Sequence, residues 1–142
     1  MRNFISHIIF TILAAVALSC SNSYADAVEQ NLREAEMAVA QGDMTVAESV
    51  SNNILGDKHL QDLTPRQLGR LSLVYMQLAD SADQGDHVSH ATECYRKAFE
   101  INPDSANAFY NNVAPEHTAH AMLLSAIVHS TDIPTDSLHL DD

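Results

Sequence analysis

Tryptophan is absent from this 142-residue chain, and glycine and proline occur only four times each. So few turn-formers exclude a turn-dense β architecture, while plentiful Ala, Leu, Met, Glu and Gln favour helices. Cysteine appears only at Cys20 and Cys94, which rules out a disulfide framework. Basic residues are scarce, seven against nineteen acidic ones, and the resulting net charge of −12 repels the phosphates of nucleic acid. Most of that charge reads as a solvated surface rather than a specific docking patch. A G-x-S-x-G turn, a glycine-rich phosphate loop and a convincing Ser/His/Asp set are all missing, so the chain is not expected to be an enzyme and needs no cofactor. Its length suits one domain with a real core and is short for two.

What is present begins with an apolar leader. Residues Met1 to Ala25 contain no Asp or Glu, carry the single basic residue Arg2, and run apolar from Phe4 to Leu18 with an interruption at His7. That make-up is a secretory signal, since the run as a helix would span about 22 Å, short of a ~30 Å hydrocarbon core. Two cleavage sites compete. Ala17-Leu18-Ser19-Cys20 resembles a bacterial lipobox, in which Cys20 becomes the lipidated N-terminus, although Ala17 stands where an aliphatic residue is usual. Ser23-Tyr24-Ala25 offers ordinary cleavage after Ala25. The first reading is preferred, because the cysteine falls where the apolar run ends, and it implies membrane contact through an N-terminal lipid anchor. Either way the protein is placed in a bacterial envelope, as a membrane-anchored lipoprotein or a soluble periplasmic protein. Removing the leader takes away Arg2 and no acid, so the exported chain, with its helical body over 26–130 and its acidic tail, carries −13 and is more acidic than the whole.

From Val28 onward apolar residues recur at helical spacing, and the breaks define six helical segments. The first runs from about Asp26 to Gln41 and stops at Gly42-Asp43, and a second from Met44 to Leu55 ends at Gly56. Thr64-Pro65-Arg66-Gln67 is a strong start signal, threonine as cap and proline in the first turn, for a third helix to about Asp83. A fourth spans Val88 to Ile101 and is closed by Asn102-Pro103. Asp104 or Ser105 is expected to cap a short fifth segment through about Val113. Pro115 opens a sixth, reaching about Ser130, with Ala119, Met122, Leu123, Ala126 and Ile127 as its inward face. Residues 131–142 are polar, acidic and interrupted by Pro134, which predicts a flexible tail.

Helix pairs at this interval call for a repeat test. From Tyr75 to Pro103 the chain reads YMQLADSADQGDHVSHATECYRKAFEINP. Tyr75, Leu78-Ala79 and Ala82, then Ala91, Tyr95, Ala98 and Pro103, resemble in register the two helices of a tetratricopeptide repeat. The physical sense of the pattern is close contact, small alanines letting two backbones approach while Tyr75 and Tyr95 fill the space beside them. Ala82 replaces the usual aromatic, and Gly85 stands one place early. Ala35, Ala38, Gly42-Asp43, Ala47 and Ile54 give a fainter echo upstream, and the pair begun by Phe109 is cut short by Pro115. The expected fold is therefore all-α, antiparallel hairpins stacked as a short solenoid of about six helices, the alternative being a helical bundle without true repeats.

The resemblance implies a concave groove, lined by the first helix of each pair, that receives a protein or peptide partner. Its candidates are Leu32, Glu36 and Val39, then Leu73, Met76, Asp80 and Asp83, then Asn107 and Tyr110. Their apolar and acidic character suits a partner with apolar anchors and some basic residues. Leu73 and Met76 equally suit a core position. Eight histidines raise a second reading, a ligand- or metal-binding envelope protein using Glu116, His117 and His120 on one helix turn. That trio lacks the H-E-x-x-H order of a helical zinc protease, and His87 and His90 stand near a helix start without a third ligand. Solvated histidines are the simpler account, so no metal is assigned. Cys94 lies between the packing alanines, where a small buried thiol is inert.

Overall fold

The computed structural model describes residues 25–57, 60–81 and 86–132, and every regular element in them is helical. Six α-helices follow one another: α1 (residues 25–41), α2 (Met44–Asp57), α3 (Pro65–Ser81), α4 (His87–Ile101), α5 (Pro103–Tyr110) and α6 (Thr118–Thr131). Short 3₁₀ turns at Leu60–Asp62 and Pro115–His117 precede α3 and α6. No strand occurs among the described residues. The all-α expectation is thus met. The lipidation candidate Cys20, the leader up to residue 24, Ala82, Asp83 and residues 133–142 lie outside the described residues.

Local chemistry explains the boundaries. Gly42 adopts φ 79°, a left-handed conformation open to glycine at little cost, and ends α1 with paired bonds from its own N–H to the Val39 carbonyl and from the Asp43 N–H to the Ala38 carbonyl. Asp43 then caps α2 at once, its carboxylate accepting from the Val46 N–H at 3.1 Å. At the start of α3, Thr64 Oγ1 accepts from the Gln67 N–H and Gln67 Oε1 from the Thr64 N–H. This reciprocal cap is flanked by Leu63 and Leu68, both buried, which fix the angle at which the chain enters. Between α4 and α5 one residue serves twice. The Asn102 N–H donates to the Ala98 carbonyl, closing α4, while its side chain accepts from the Ser105 N–H and opens α5 with Pro103 in the first turn. The cap expected at Asp104 or Ser105 is therefore Asn102, and α5 ends at Tyr110 rather than near Val113.

Among α2 to α6, the most extensive helix contact joins α3 to α4. Nine α3 residues are buried, among them Leu68, Leu71, Val74, Tyr75 and Leu78, and they meet Ala91, Cys94, Tyr95 and Ala98 of α4. Ala91 and Ala98 have no exposed surface, as tight backbone approach requires, and Tyr75 is fully enclosed beside them. Its hydroxyl is not wasted, since it donates to Asn52 Oδ1 of α2 at 2.8 Å. Burial pushes the Tyr75 phenol upward and the Cys94 thiol up to about 12, the latter aided by the nearby Glu93 charge, so neither ionises near neutrality. Tyr95 extends the core into an aromatic group, 4.7 Å from Phe99 and 4.8 Å from Tyr110 between ring centroids, which ties α5 to α4.

The last helix faces the other way from expectation. α6 buries Ala121, Leu124 and Val128, whereas Ala119, Met122, Leu123 and Ala126 are exposed and Ile127 is half-buried. Apolar residues of α6 fall on two opposite sides and no Asp, Glu, Lys or Arg marks either, so its pattern does not say which stripe meets the body. Polar contacts decide it. His120 Nε2 meets Asp80 Oδ2 at 2.6 Å near the end of α3, and Arg96 of α4 reaches Thr131 and Asp132 at the far end of α6. Hence α6 runs alongside α4 in the same direction, and Thr131, placed in the tail by the sequence pattern, closes the helix.

Candidate functional site

An open cleft of about 1000 Å³ lies along one side of the molecule. Its walls are Glu36 and Ala40 of α1, Arg66, Arg70, Leu73, Val74 and Gln77 of α3, and Ser105, Ala108 and Phe109 of α5, with Asn112 to His117 closing one end. Thus the odd-numbered helices line it, and the even-numbered ones supply the support behind. A shallower polar depression, formed by α4 and the Leu60–Asp62 turn, holds Glu93, Arg96 and Lys97.

The apolar part of the cleft depends on Gly69. A Cβ at this position would overlap the Phe109 ring, so only hydrogen on α3 lets α5 bring that ring against it. The aromatic edge is then locked in place by Tyr110. Ser72 Oγ donates to the Gly69 carbonyl at 2.7 Å, which uses its single proton, and so the Tyr110 hydroxyl must donate to Ser72 Oγ across 2.8 Å. Burial holds the Tyr110 phenol above its ordinary range, against the opposing pull of that Ser72 bond.

The polar part is an arginine fork. Arg70 Nε and Nη2 donate to the two oxygens of Glu36 at 2.7 and 2.8 Å, and Nη1 donates to Glu29 at 2.6 Å. Two carboxylates about two turns apart on α1 thereby clamp a guanidinium on α3, a planar match that lysine could not reproduce. The Glu36 bonds hold the Arg70 proton more firmly than usual despite partial burial. Burial by itself would raise the Glu29 carboxyl, but the Arg70 hydrogen bond and the charges of Arg70, Arg33 and Arg66 bring it below its ordinary value. Arg66, one turn before Arg70, is exposed in the cleft and makes no ion pair among the described residues.

The residues assigned to a groove from sequence are divided by this geometry. Glu36 and Leu73 line the cleft. Leu32 and Met76 are enclosed in the core, and Val39 packs partly against it. Asp80 turns to His120, Asn107 is exposed outside the cleft wall, and Tyr110 belongs to the aromatic group behind Phe109. The expected acidic lining is therefore corrected, since two arginines and His117 accompany Glu36 and Glu116. Arg66, Arg70 and Phe109 were missed. A lone cation between buried Gly69 and Leu71, with Glu29 and Glu36 seven residues apart on one helix face, was the available signal for Arg70.

The histidines disperse. His120 is engaged with Asp80, His117 faces the cleft, and Glu116 sits exposed on the 3₁₀ turn, so the trio does not converge. Among the described residues no group of three His, Cys, Asp or Glu side chains is placed to hold a metal ion. His87 is buried and bonded to Glu48 at 3.0 Å, and His90 lies against the Tyr75 ring. No helix of the described residues is long and apolar enough to cross a membrane. No family model, curated protein or solved structure matches the chain.

Proposed function

We propose that this protein is a binding module of the bacterial cell envelope, exported by its apolar leader, anchored through lipidated Cys20, and holding a peptide segment of another protein in the α1–α3–α5 cleft. The single observation that carries the binding role is the cleft itself, which combines the Phe109, Leu73 and Val113 surface with Arg66, a cation that makes no ion pair among the described residues. An apolar anchor seated by Phe109 and a carboxylate facing Arg66 would use both parts. The resemblance of the Tyr75–Pro103 window to a tetratricopeptide repeat supports this role, because such repeats present the first helix of each pair to a ligand. The export and anchoring part rests on the sequence from Met1 to Ala25.

Two experiments test it. A photoreactive amino acid at Asn112, in the cleft, should give a discrete adduct in intact cells, and the same group at Glu93, on the α4 face, should not. Equal labelling from both positions, or none from either, would overturn the binding role. Mass spectrometry of the mature N-terminus should show a lipidated Cys20. An unmodified start at Asp26 would replace anchoring by simple export.

A further inference from the structure

We propose that residues 133–142, which follow α6, fold back along the cleft as an extended strap, with Asp136 on Arg66 and with Leu138 and Leu140 on the wall of Leu73, Phe109 and Val113. That a partner must displace this strap rests on the binding role proposed above; the contact itself does not.

The position of α6 makes the contact reachable. His120 meets Asp80 near the end of α3, and α6 runs back from there towards the start of α3, because it is parallel to α4. From His120 to Asp132 is twelve residues, about 18 Å of helix, and the same length back along α3 from Asp80 ends at Leu68, within one turn of Arg66. The chain is therefore delivered to the Arg66 end of the cleft, with Asp132 held by Arg96 at 3.1 Å. Since α6 packs on α3 as well as on α4, about one helix width of roughly 10 Å remains to be crossed, and four extended residues reach about 13 Å.

The order of residues suits that entry. Pro134 stops α6 from running on and favours an extended course. Alternate side chains of an extended segment share a face, so Asp136, Leu138 and Leu140 present one acid and then two apolar groups. From the start of α3 the cleft offers Arg66 and then Leu73, with Phe109 and Val113 completing the apolar wall.

Charge selects this occupant. Arg33 and Arg70 are taken by Glu29 and Glu36, Arg96 by Asp132 and Lys97 by Glu100, whereas Arg66 makes no ion pair among the described residues. Residues 133–142 contain three Asp and no Lys or Arg, so they are drawn to that point of an otherwise acidic molecule. Glu36 is already neutralised by Arg70, and Glu116 lies at the other end of the cleft, beside His117 in the turn that opens α6. A tethered segment needs little affinity. At the roughly millimolar effective concentration of a short tether, an intrinsic affinity of about 0.5 mM weakens a competing partner about threefold.

Photochemical crosslinking within the full chain tests the contact. With a photoreactive residue at Leu138, in dilute protein in mild detergent, irradiation and cleavage after glutamate should join residues 117–142 to residues 101–116, which hold Phe109 and Val113, inside one molecule. Arg66→Glu turns the attraction into repulsion, about tenfold in affinity, and should lower that yield about fourfold with an unchanged far-ultraviolet circular dichroism spectrum. Asp136→Arg in the same chain should restore it. In intact cells, Asp136→Lys should raise partner capture from Asn112 about two- to threefold. No adduct to residues 101–116, adducts chiefly to residues 94–100 of α4 or to a second molecule, a yield indifferent to Arg66→Glu, or no rescue by the charge exchange would each overturn the proposal. Partner capture from Asn112 that persists alongside any of these would leave the binding role standing. An adduct to residues 101–116 with no partner captured, even with Asp136→Lys, would keep the strap and remove the partner.

Discussion

The α3–α4 hairpin and the α6 helix are made from similar residues, yet one has a single possible inner face and the other has two. In α3, Arg66, Gln67, Arg70 and Gln77 mark the rim positions and leave Leu71, Val74, Tyr75 and Leu78 no choice but the core. In α6 no charged residue marks a rim, and orientation is settled by His120 on Asp80 and by Arg96 on Thr131 and Asp132. Polar residues, by refusing burial, do as much to orient a helix as apolar ones do. Where they are missing, the choice passes to a few long-range contacts.

The contrast can be broken most severely at its best-packed point. Tyr75→Ala would leave a cavity between α2, α3 and α4, and a loss of about 4 kcal/mol in urea-unfolding free energy is expected. Leu124→Ala, on the buried stripe of α6, should cost about 3 kcal/mol in the same assay if this face packs as described. Gly69→Ala pits a better helix former against overlap with Phe109; the overlap should win by roughly 1 to 2 kcal/mol, and Phe109→Leu in the same chain should restore much of it, seen as a recovered melting temperature. Removing the clamp by Arg70→Met should cost about 1 kcal/mol at neutral pH, given how exposed its carboxylate partners are. The sign with pH follows from Glu29. Its carboxyl is held below its unfolded value, so the stability it contributes is present at neutral pH and declines as pH falls through the acidic range below 4.5. Arg70→Met should flatten that decline in an acid titration of unfolding. Smallest of all, Leu123→Ala should change monomer stability by less than about 0.5 kcal/mol, and a larger loss would mean that the two stripes of α6 have been assigned the wrong way round.

Much of the fold was readable because its punctuation is local. Gly42-Asp43, Thr64-Pro65 and Asn102-Pro103 each end or begin a helix by chemistry within a few residues, and the observed limits fall within about two residues of the expected ones for α1 through α4. What could not be read was whatever depends on how one hairpin is rotated against the next. Leu32 and Met76 have the spacing of groove residues and are core, while Arg70 and Phe109 line the cleft for reasons that reside in two carboxylates on another helix and in Gly69. The shortness of α5 was half visible in Pro115, but not its start, because an asparagine that ends one helix gave no sign that it also begins another.

That double duty of Asn102 leaves no slack between α4 and α5, and the two helices are therefore geared together. A residue inserted there would advance α5 by about 100° around its own axis, with nothing between the helices to absorb the turn. Phe109 would swing out of the cleft and Tyr110 off Ser72, while α4 stayed where it is. The site's shape is thus set by counting residues at one point, and natural variants of this chain should tolerate length changes between other helices far better than at this one.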